Sequence, residues 1–261
     1  MTKRKPKNQR KNTKSNNPDT PVRLYGIHAV CAAVQNPQRQ VVKLWATANG
    51  AKTISKLKTA TTVIPEQVSP QELARLLPPD AVHQGLVVDV GPLPATSLET
   101  IMARARPIIA LDQIVDPRNV GSILRAAAVF NVAGIIVTRQ HSPPAEGALA
   151  KTASGALEIV PLVAVANLAR TLNMLTDNGY LVLGLDQHAK RTIDQIDTNQ
   201  PLACVMGSEG KGLRRLTREM CTELVRLPTG NTVETEAGRQ NEFATLNVAT
   251  AAAVALYALR R

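Results

Sequence analysis

Short β-branched runs alternate with helix-patterned stretches from Val22 to the end of the chain, a pattern that confines it to an α/β architecture with largely parallel sheets. The strand-like runs are Val41–Thr47, Thr61–Ile64, Gly85–Val90, Ile108–Leu111, Gly134–Thr138, Ile159–Val163, Tyr180–Leu185, Leu202–Met206 and Leu224–Leu227. Amphipathic stretches separate most of them, at Thr53–Ala60, Pro70–Leu77, Val120–Phe130, Asn167–Thr176 and Leu213–Cys221. Aromatic residues make up only 2% of the chain, so Ala, Val, Leu and Ile must fill the core. No uninterrupted apolar run of about 18 residues occurs. The nearest, Ala244–Leu259, is broken by Thr245, Asn247 and Thr250, so no membrane span is expected.

A length of 261 residues suits one large or two small domains. The stretch Gly91–Arg106 opens Gly-Pro-Leu-Pro and carries only a short helix pattern, Ser97 to Ala105, which reads as a linker. The expected division is a tail at 1–20, a small α/β domain at 21–92, a linker at 93–106 and a larger domain at 107–261. The tail holds seven basic residues and one acid, Asp19, and so carries +6 of the net +11. Prolines apart, it has no apolar residue between Thr2 and Pro21, which excludes a signal peptide, and its Lys- and Asn-rich character disfavours a mitochondrial presequence. It reads as a disordered basic arm suited to phosphates, or as a solubilising tail without a partner. The three cysteines, Cys31, Cys204 and Cys221, form no C-x-x-C pair. They read as small buried hydrophobes in a reduced, cytoplasmic compartment, with no structural metal.

Three segments could carry chemistry. In the first, Leu111 to Ala127, a strand meets a turn at Asp116-Pro117 and then a helix. At about 100° per residue, Val120, Ile123, Leu124 and Ala127 share one arc while Arg118, Ser122 and Arg125 share the opposite one. A helix that follows a strand projects from the strand's carboxyl end, where open α/β sheets bind ligands, and this makes Arg125 a candidate for phosphate or hydroxyl contact. An arginine on a polar helix face is otherwise an ordinary solvated residue. The second segment, Leu202 to Leu213, is an apolar strand that enters the turn Gly207-Ser208-Glu209-Gly210-Lys211-Gly212. The glycines allow close backbone approach, but neither G-x-x-x-x-G-K-[ST] nor G-x-G-x-x-G is met, and Glu209 disfavours a triphosphate. In the third, Leu227-Pro228 is followed by a polar stretch and then by Thr245-Leu246-Asn247-Val248 at the head of an Ala-rich helix, where N-capping alone could explain Asn247.

Taken in order, these segments resemble the SpoU/TrmH family of RNA ribose 2′-O-methyltransferases, within the trefoil-knotted SPOUT class. Asn119-x-Gly-x-x-x-Arg125 matches the first motif, Met206-Gly-Ser-Glu209-Gly-x-Gly212 the second, and Leu227-Pro228 with Leu246-Asn247-Val248 the third. Tyr25 to Val30 and His83 to Val87 are similar to the N-terminal RNA-binding domain of the branch that methylates a guanosine in large-subunit ribosomal RNA. The resemblance implies a C-terminal trefoil-knotted methyltransferase domain, ribosomal RNA as partner and substrate, and a homodimer. It implies S-adenosylmethionine bound by backbone groups of Gly207, Leu227 and Leu246, with the Gly184–Leu185 turn as a weaker addition. Catalysis would centre on Arg125, with Asn119, Glu209 and Asn247 fixing its orientation and that of the ribose. A guanidinium is effectively always protonated, so Arg125 is better suited to stabilising charge than to acting as a base.

Two departures from the family pattern stand out. Thr245 replaces the usual serine, which keeps the hydroxyl. Pro228 to Leu246 spans 18 positions, a longer stretch than the family's, and contains Glu234, Glu236 and Glu242, which could repel RNA or cover the cofactor. The competing expectation is an RNA-binding assembly factor with a decayed cofactor site; a generic nucleotide enzyme is the weaker third.

Overall fold

The computed structural model describes residues 20–57, 63–140, 142–228 and 246–260. The basic tail before Thr20, the start of the strand expected at Thr61, and the long segment with Glu234, Glu236, Glu242 and Thr245 lie outside the described residues.

The first part of the chain runs β1 (Val22–Tyr25), α1 (Ile27–Gln35), β2 (Val41–Ala46), α2 (Ala48–Ser55), β3 (Glu66–Gln67), α3 (Pro70–Arg75) and β4 (Leu86–Val90). Its four strands order as β1-β4-β2-β3. Here the expectation of parallel pairing fails: β4 is antiparallel to both β1 and β2, and only β2 and β3 run parallel. Alternation of helices and strands along the chain carries no information on strand direction, and the return through residues 76–85 reverses the chain before β4. The helix expected at Thr53–Ala60 instead starts at Ala48, because Thr47 caps it by accepting a hydrogen bond from Gly50 N at 3.2 Å. The strand expected to end at Ile64 is not formed there; pairing begins at Glu66.

The second part begins with α4 (Leu98–Met102), β5 (Ile108–Asp112), α5 (Pro117–Val129), β6 (Gly134–Thr138), α6 (Gly147–Ala153), β7 (Leu162–Val165), α7 (Leu168–Asp177) and β8 (Leu181–Leu185). It ends with β9 (Arg191–Thr192), β10 (Leu202–Gly207), α8 (Arg215–Glu219), β11 (Glu223–Arg226) and α9 (Val248–Ala258). The seven strands order as β7-β6-β5-β10-β8-β11-β9, and every neighbouring pair is parallel. Their carboxyl ends therefore share one edge, and the strand order changes direction beside β5, where β10 inserts. The strand expected from Ile159 starts only at Leu162, since a 3-10 turn at Ala156–Glu158 leaves Ile159 70% exposed. Pro161, which has no N–H to donate, delays the ladder further.

Side chains alternate across the large sheet, with Ile109 and Leu111 packing into one apolar cluster and Ile108 and Ala110 into another. The first cluster runs without a break into the smaller sheet through Leu24, Val30, Leu44 and Val88. The segment expected as a linker is docked rather than free: Leu98 and Ile101 are buried, and a Cβ on Gly134 would lie 2.7 Å from Ile101 Cγ2. A buried ion pair also joins the two parts. Arg39 Nε donates to Glu158 at 2.9 Å, with side chains only 2% and 5% exposed. Glu158 accepts a further bond from Asn36 Nδ2 at 2.7 Å, and Arg39 Nη1 donates to Gly91 O at 2.8 Å.

Burial pushes the thiols of Cys204 and Cys221 up to about 12, so neither supplies a thiolate at neutral pH. Among the described residues no helix is long and apolar enough to cross a membrane, and no cluster of three His, Cys, Asp or Glu could hold a metal.

Candidate active site

The first motif opens on a helix start. Asp116 caps α5 by accepting from Arg118 N at 2.8 Å and Pro117 takes the first helical position, so the helix begins three residues before the expected Val120. Val120, Ile123, Leu124 and Ala127 are buried, as the arc requires, and Arg125 is exposed on the other side. Gly121 has a packing reason: a Cβ there would meet Leu149 O of α6 at 2.6 Å.

The second motif leaves β10 at Gly207, where a Cβ would sit 2.1 Å from Gly212 C and 2.4 Å from Leu213 N. The turn folds back so closely that only glycine fits. Gly212 N donates to Ser208 O at 2.9 Å, and Gly210 and Gly212 hold φ of +78° and +65°. Glu209 stands at the head of this turn. It does not pair with Lys211 or Arg214; its carboxylate accepts from Asn119 Nδ2 at 3.1 Å, from Asn247 Nδ2 at 2.5 Å and from Val248 N at 3.5 Å.

Asn247 is a helix cap and more. Its Oδ1 accepts from Ala249 N at 2.8 Å, while its Nδ2 also reaches Asn119 Oδ1 at 3.2 Å. Three residues from three distant segments thus form one hydrogen-bonded cluster at the N-termini of α5 and α9. A negative group there is favoured by both helix dipoles.

Arg125 makes no hydrogen bond to this cluster among the described residues. It shares with Asn247 a groove of about 520 Å³ between α5 and α9, also lined by Ser122, Phe130 and Thr250. The larger cavity, about 670 Å³, lies against the smaller sheet, away from the cluster.

Three of the four residues expected to hold a cofactor lie along one edge. Gly207 ends β10, Leu185 ends β8 and Leu227 directly follows β11, and these three strands are adjacent. Gly184, whose Cβ would meet Leu224, Cys221 and Leu213 within 2.9 Å, lets them pack closely. Leu246 stands two residues before Val248, whose N donates to Glu209 at 3.5 Å. The carboxyl ends of adjacent parallel strands are where open α/β sheets bind ligands.

A pair not singled out from the sequence fixes the turn. Asp112, fully buried at the end of β5, accepts from Arg214 N at 2.9 Å and from Arg214 Nε at 2.6 Å. It thereby ties the turn's far end to the loop that leads into α5. The available signal was an acid that closes the otherwise apolar strand Ile108–Leu111.

Gly207→Ala is expected to destabilise the fold by about 3 kcal/mol, since the clash is with backbone that cannot rotate away. Gly210→Ala meets open space and should cost only the left-handed strain, about 1–2 kcal/mol. Urea unfolding of the two variants checks the order.

Known proteins match the chain in sequence and in fold. Residues 106–257 match the SpoU rRNA methylase family, and residues 23–95 match the domain described as RNA 2′-O ribose methyltransferase substrate binding. The 23S rRNA (guanosine-2′-O-)-methyltransferase of Pseudomonas aeruginosa is 36% identical over 250 residues, covering 92% of this chain and 96% of that one. The protein of the same description from Vibrio cholerae is 36% identical over 243 residues, covering 90% and 94%. Among solved structures, the SpoU methyltransferase AviRb from Streptomyces viridochromogenes in complex with AdoMet superposes with a TM-score of 0.74 at 24% identity, covering 92% of this chain and 89% of that one.

Proposed function

Since the chain belongs to the SpoU rRNA methylase family, we infer that it is an enzyme that transfers a methyl group from S-adenosylmethionine to the ribose 2′-hydroxyl of a guanosine in large-subunit ribosomal RNA. The observation that carries this reading for the chain's own residues is the Asn119–Glu209–Asn247 cluster, which joins all three motifs beside the groove of Arg125.

When bound, S-adenosylmethionine supplies an electrophilic methyl on sulfur. Backbone groups of Gly207, Leu185, Leu227 and Leu246 hold it, and the Asp112–Arg214 pair keeps the glycine turn in place. Arg125 binds the phosphate next to the target ribose and stabilises negative charge on the 2′-oxygen as its proton leaves to water in the open groove. Asn119 and Asn247 would orient the ribose so that its 2′-oxygen faces the methyl donor. Glu209 accepts all three of its hydrogen bonds on one oxygen, Oε1, and so ties the three motifs together.

The finer parts of the reading are a trefoil knot in the larger part of the chain, a homodimer and cytoplasmic work on ribosomal RNA. For the knot, support lies in the insertion of β10 between β5 and β8 and in the return of α9 to pack on α5. For the dimer, support lies in exposed apolar residues beside the groove, Val129, Val254 and Tyr257 on α5 and α9. The basic tail adds cations for RNA phosphates.

Isothermal calorimetry with S-adenosylmethionine tests the reading. Micromolar binding that weakens at least tenfold in Gly207→Ala is expected. Absence of binding to the native protein would instead favour an RNA-binding assembly factor with a decayed site.

A further inference from the structure

The larger cavity has no part in methyl transfer, yet it is built. Its wall at Thr47 and Gly85 is closely packed: a Cβ on Gly85 would meet Thr47 Oγ1 at 2.5 Å, and behind it a Cβ on Gly50 would meet Gly85 O at 2.3 Å. Thr47 N donates to Gly85 O at 2.9 Å, which fixes the start of α2 against the loop before β4. The cavity's volume of about 670 Å³ can hold one nucleoside.

Its chemistry selects the ligand. Asn49, Gln67, His83 and Gln84 are among the residues that line it; among the described residues the Asn49 and Gln67 amides have no hydrogen-bond partner, while Gln84 Oε1 accepts from Ile27 N at 3.2 Å and from Lys151 Nζ. His83 Nδ1 accepts from Gly85 N at 3.0 Å, which leaves Nε2 as the ring's donor, without a partner among the described residues. No Lys or Arg lines the cavity, and its one carboxylate, Glu72, is held below the usual range by hydrogen bonds from Ser69. The nearest cation, Lys151, is engaged by Gln84, and the remaining groups suit a neutral ligand with donors and acceptors in one plane better than a phosphate. Along the same face of α2, one and two turns beyond Asn49, stand the exposed Lys52 and Lys56. Among the described residues neither has a carboxylate partner.

We propose that this cavity takes a single unpaired nucleobase of the RNA, remote from the methylated ribose, read by Asn49, Gln67 and His83, while Lys52 and Lys56 hold the phosphates that follow it. This rests on the RNA substrate inferred above and adds a second point of recognition, which fixes where along the RNA the groove of Arg125 comes to lie.

The experiment is filter binding of unmodified large-subunit RNA to the full chain without cofactor, across a range of salt, with urea unfolding of each variant as the check on folding. Because methyl transfer is not the readout, failure of this proposal is separable from failure of the enzyme reading. Asn49→Ala/Gln67→Ala should weaken RNA binding about tenfold or more, with the salt slope unchanged, since base contacts release no counterions. Lys52→Ala/Lys56→Ala should flatten the log–log salt slope by about 1.4, at roughly 0.7 per single-stranded phosphate. His83→Ala should weaken binding in the same sense as the amide variant. An amide double variant that binds as the native chain does, or one that loses salt dependence instead, would overturn the proposal.

Discussion

Arg125→Ala lowers methyl transfer by about 10²–10³-fold, the loss that follows removal of one group aimed at developing charge. Stability should stay within about 0.5 kcal/mol of the native chain, because the side chain is exposed and has no ion-pair partner among the described residues. Cofactor affinity should also be kept, since the proposed cofactor cradle lies at the strand ends rather than on α5. Arg125→Lys recovers only part of the rate: an ammonium keeps the charge but not the planar fork that holds a phosphate in one orientation. Single-turnover assays at saturating RNA, with calorimetry on the same preparations, separate these outcomes. Equal losses of rate and cofactor affinity would move Arg125 from the chemistry to the cradle.

Arg39→Ala destabilises the fold by about 3–5 kcal/mol, the largest stability effect expected of any single change. The arginine and Glu158 are nearly inaccessible, and removal of one leaves a charge in an apolar setting with only Asn36 to satisfy it. Replacing both partners by apolar residues of similar volume should recover much of the loss, because desolvating two charges offsets most of what their attraction supplies. Urea unfolding of the single and double variants measures both. A cost below about 1 kcal/mol for Arg39→Ala would mean that water reaches the pair. The pair also has a functional consequence, because it joins the smaller sheet to the larger one. The nucleobase cavity and the Arg125 groove then sit on one body, and a loosened pair should weaken the registration of RNA between them.

The motif-bearing elements were legible because their signals are local. In α5 the apolar arc, the Asp116 cap and Pro117 agree with one another, and together they define both the helix and its buried face. The turn after β10 announces itself by three glycines, of which Gly207 is fixed by clash and two by positive φ. That Asn119, Glu209 and Asn247 meet was implied by family likeness and by nothing in their spacing, since they stand 90 and 38 residues apart.

Distant partners decided the features that escaped. Strand β1 is four residues of mixed character and exists because β4 lies beside it. Helix α6, Gly-Ala-Leu-Ala-Lys-Thr-Ala, is too short and small for its periodicity to register, yet its smallness allows α5 to approach at Gly121. The segment Gly91–Arg106 looked like a linker because its two anchoring residues, Leu98 and Ile101, are sparse; both are buried. Asp112 could be read from its place in the chain, but its partner Arg214 is 102 residues away.

In the proposed reaction, the glycine turn and the α5 groove together direct a methyl group to a ribose oxygen. The most direct measurement of this incubates the purified chain with S-adenosylmethionine labelled in the methyl group and unmodified large-subunit RNA, then digests the product with alkali. A ribose methylated on its 2′-oxygen cannot cyclise onto the neighbouring phosphate, so label is predicted in a single alkali-resistant dinucleotide beginning with guanosine. Label on a mononucleotide base, or no label at all, would contradict this.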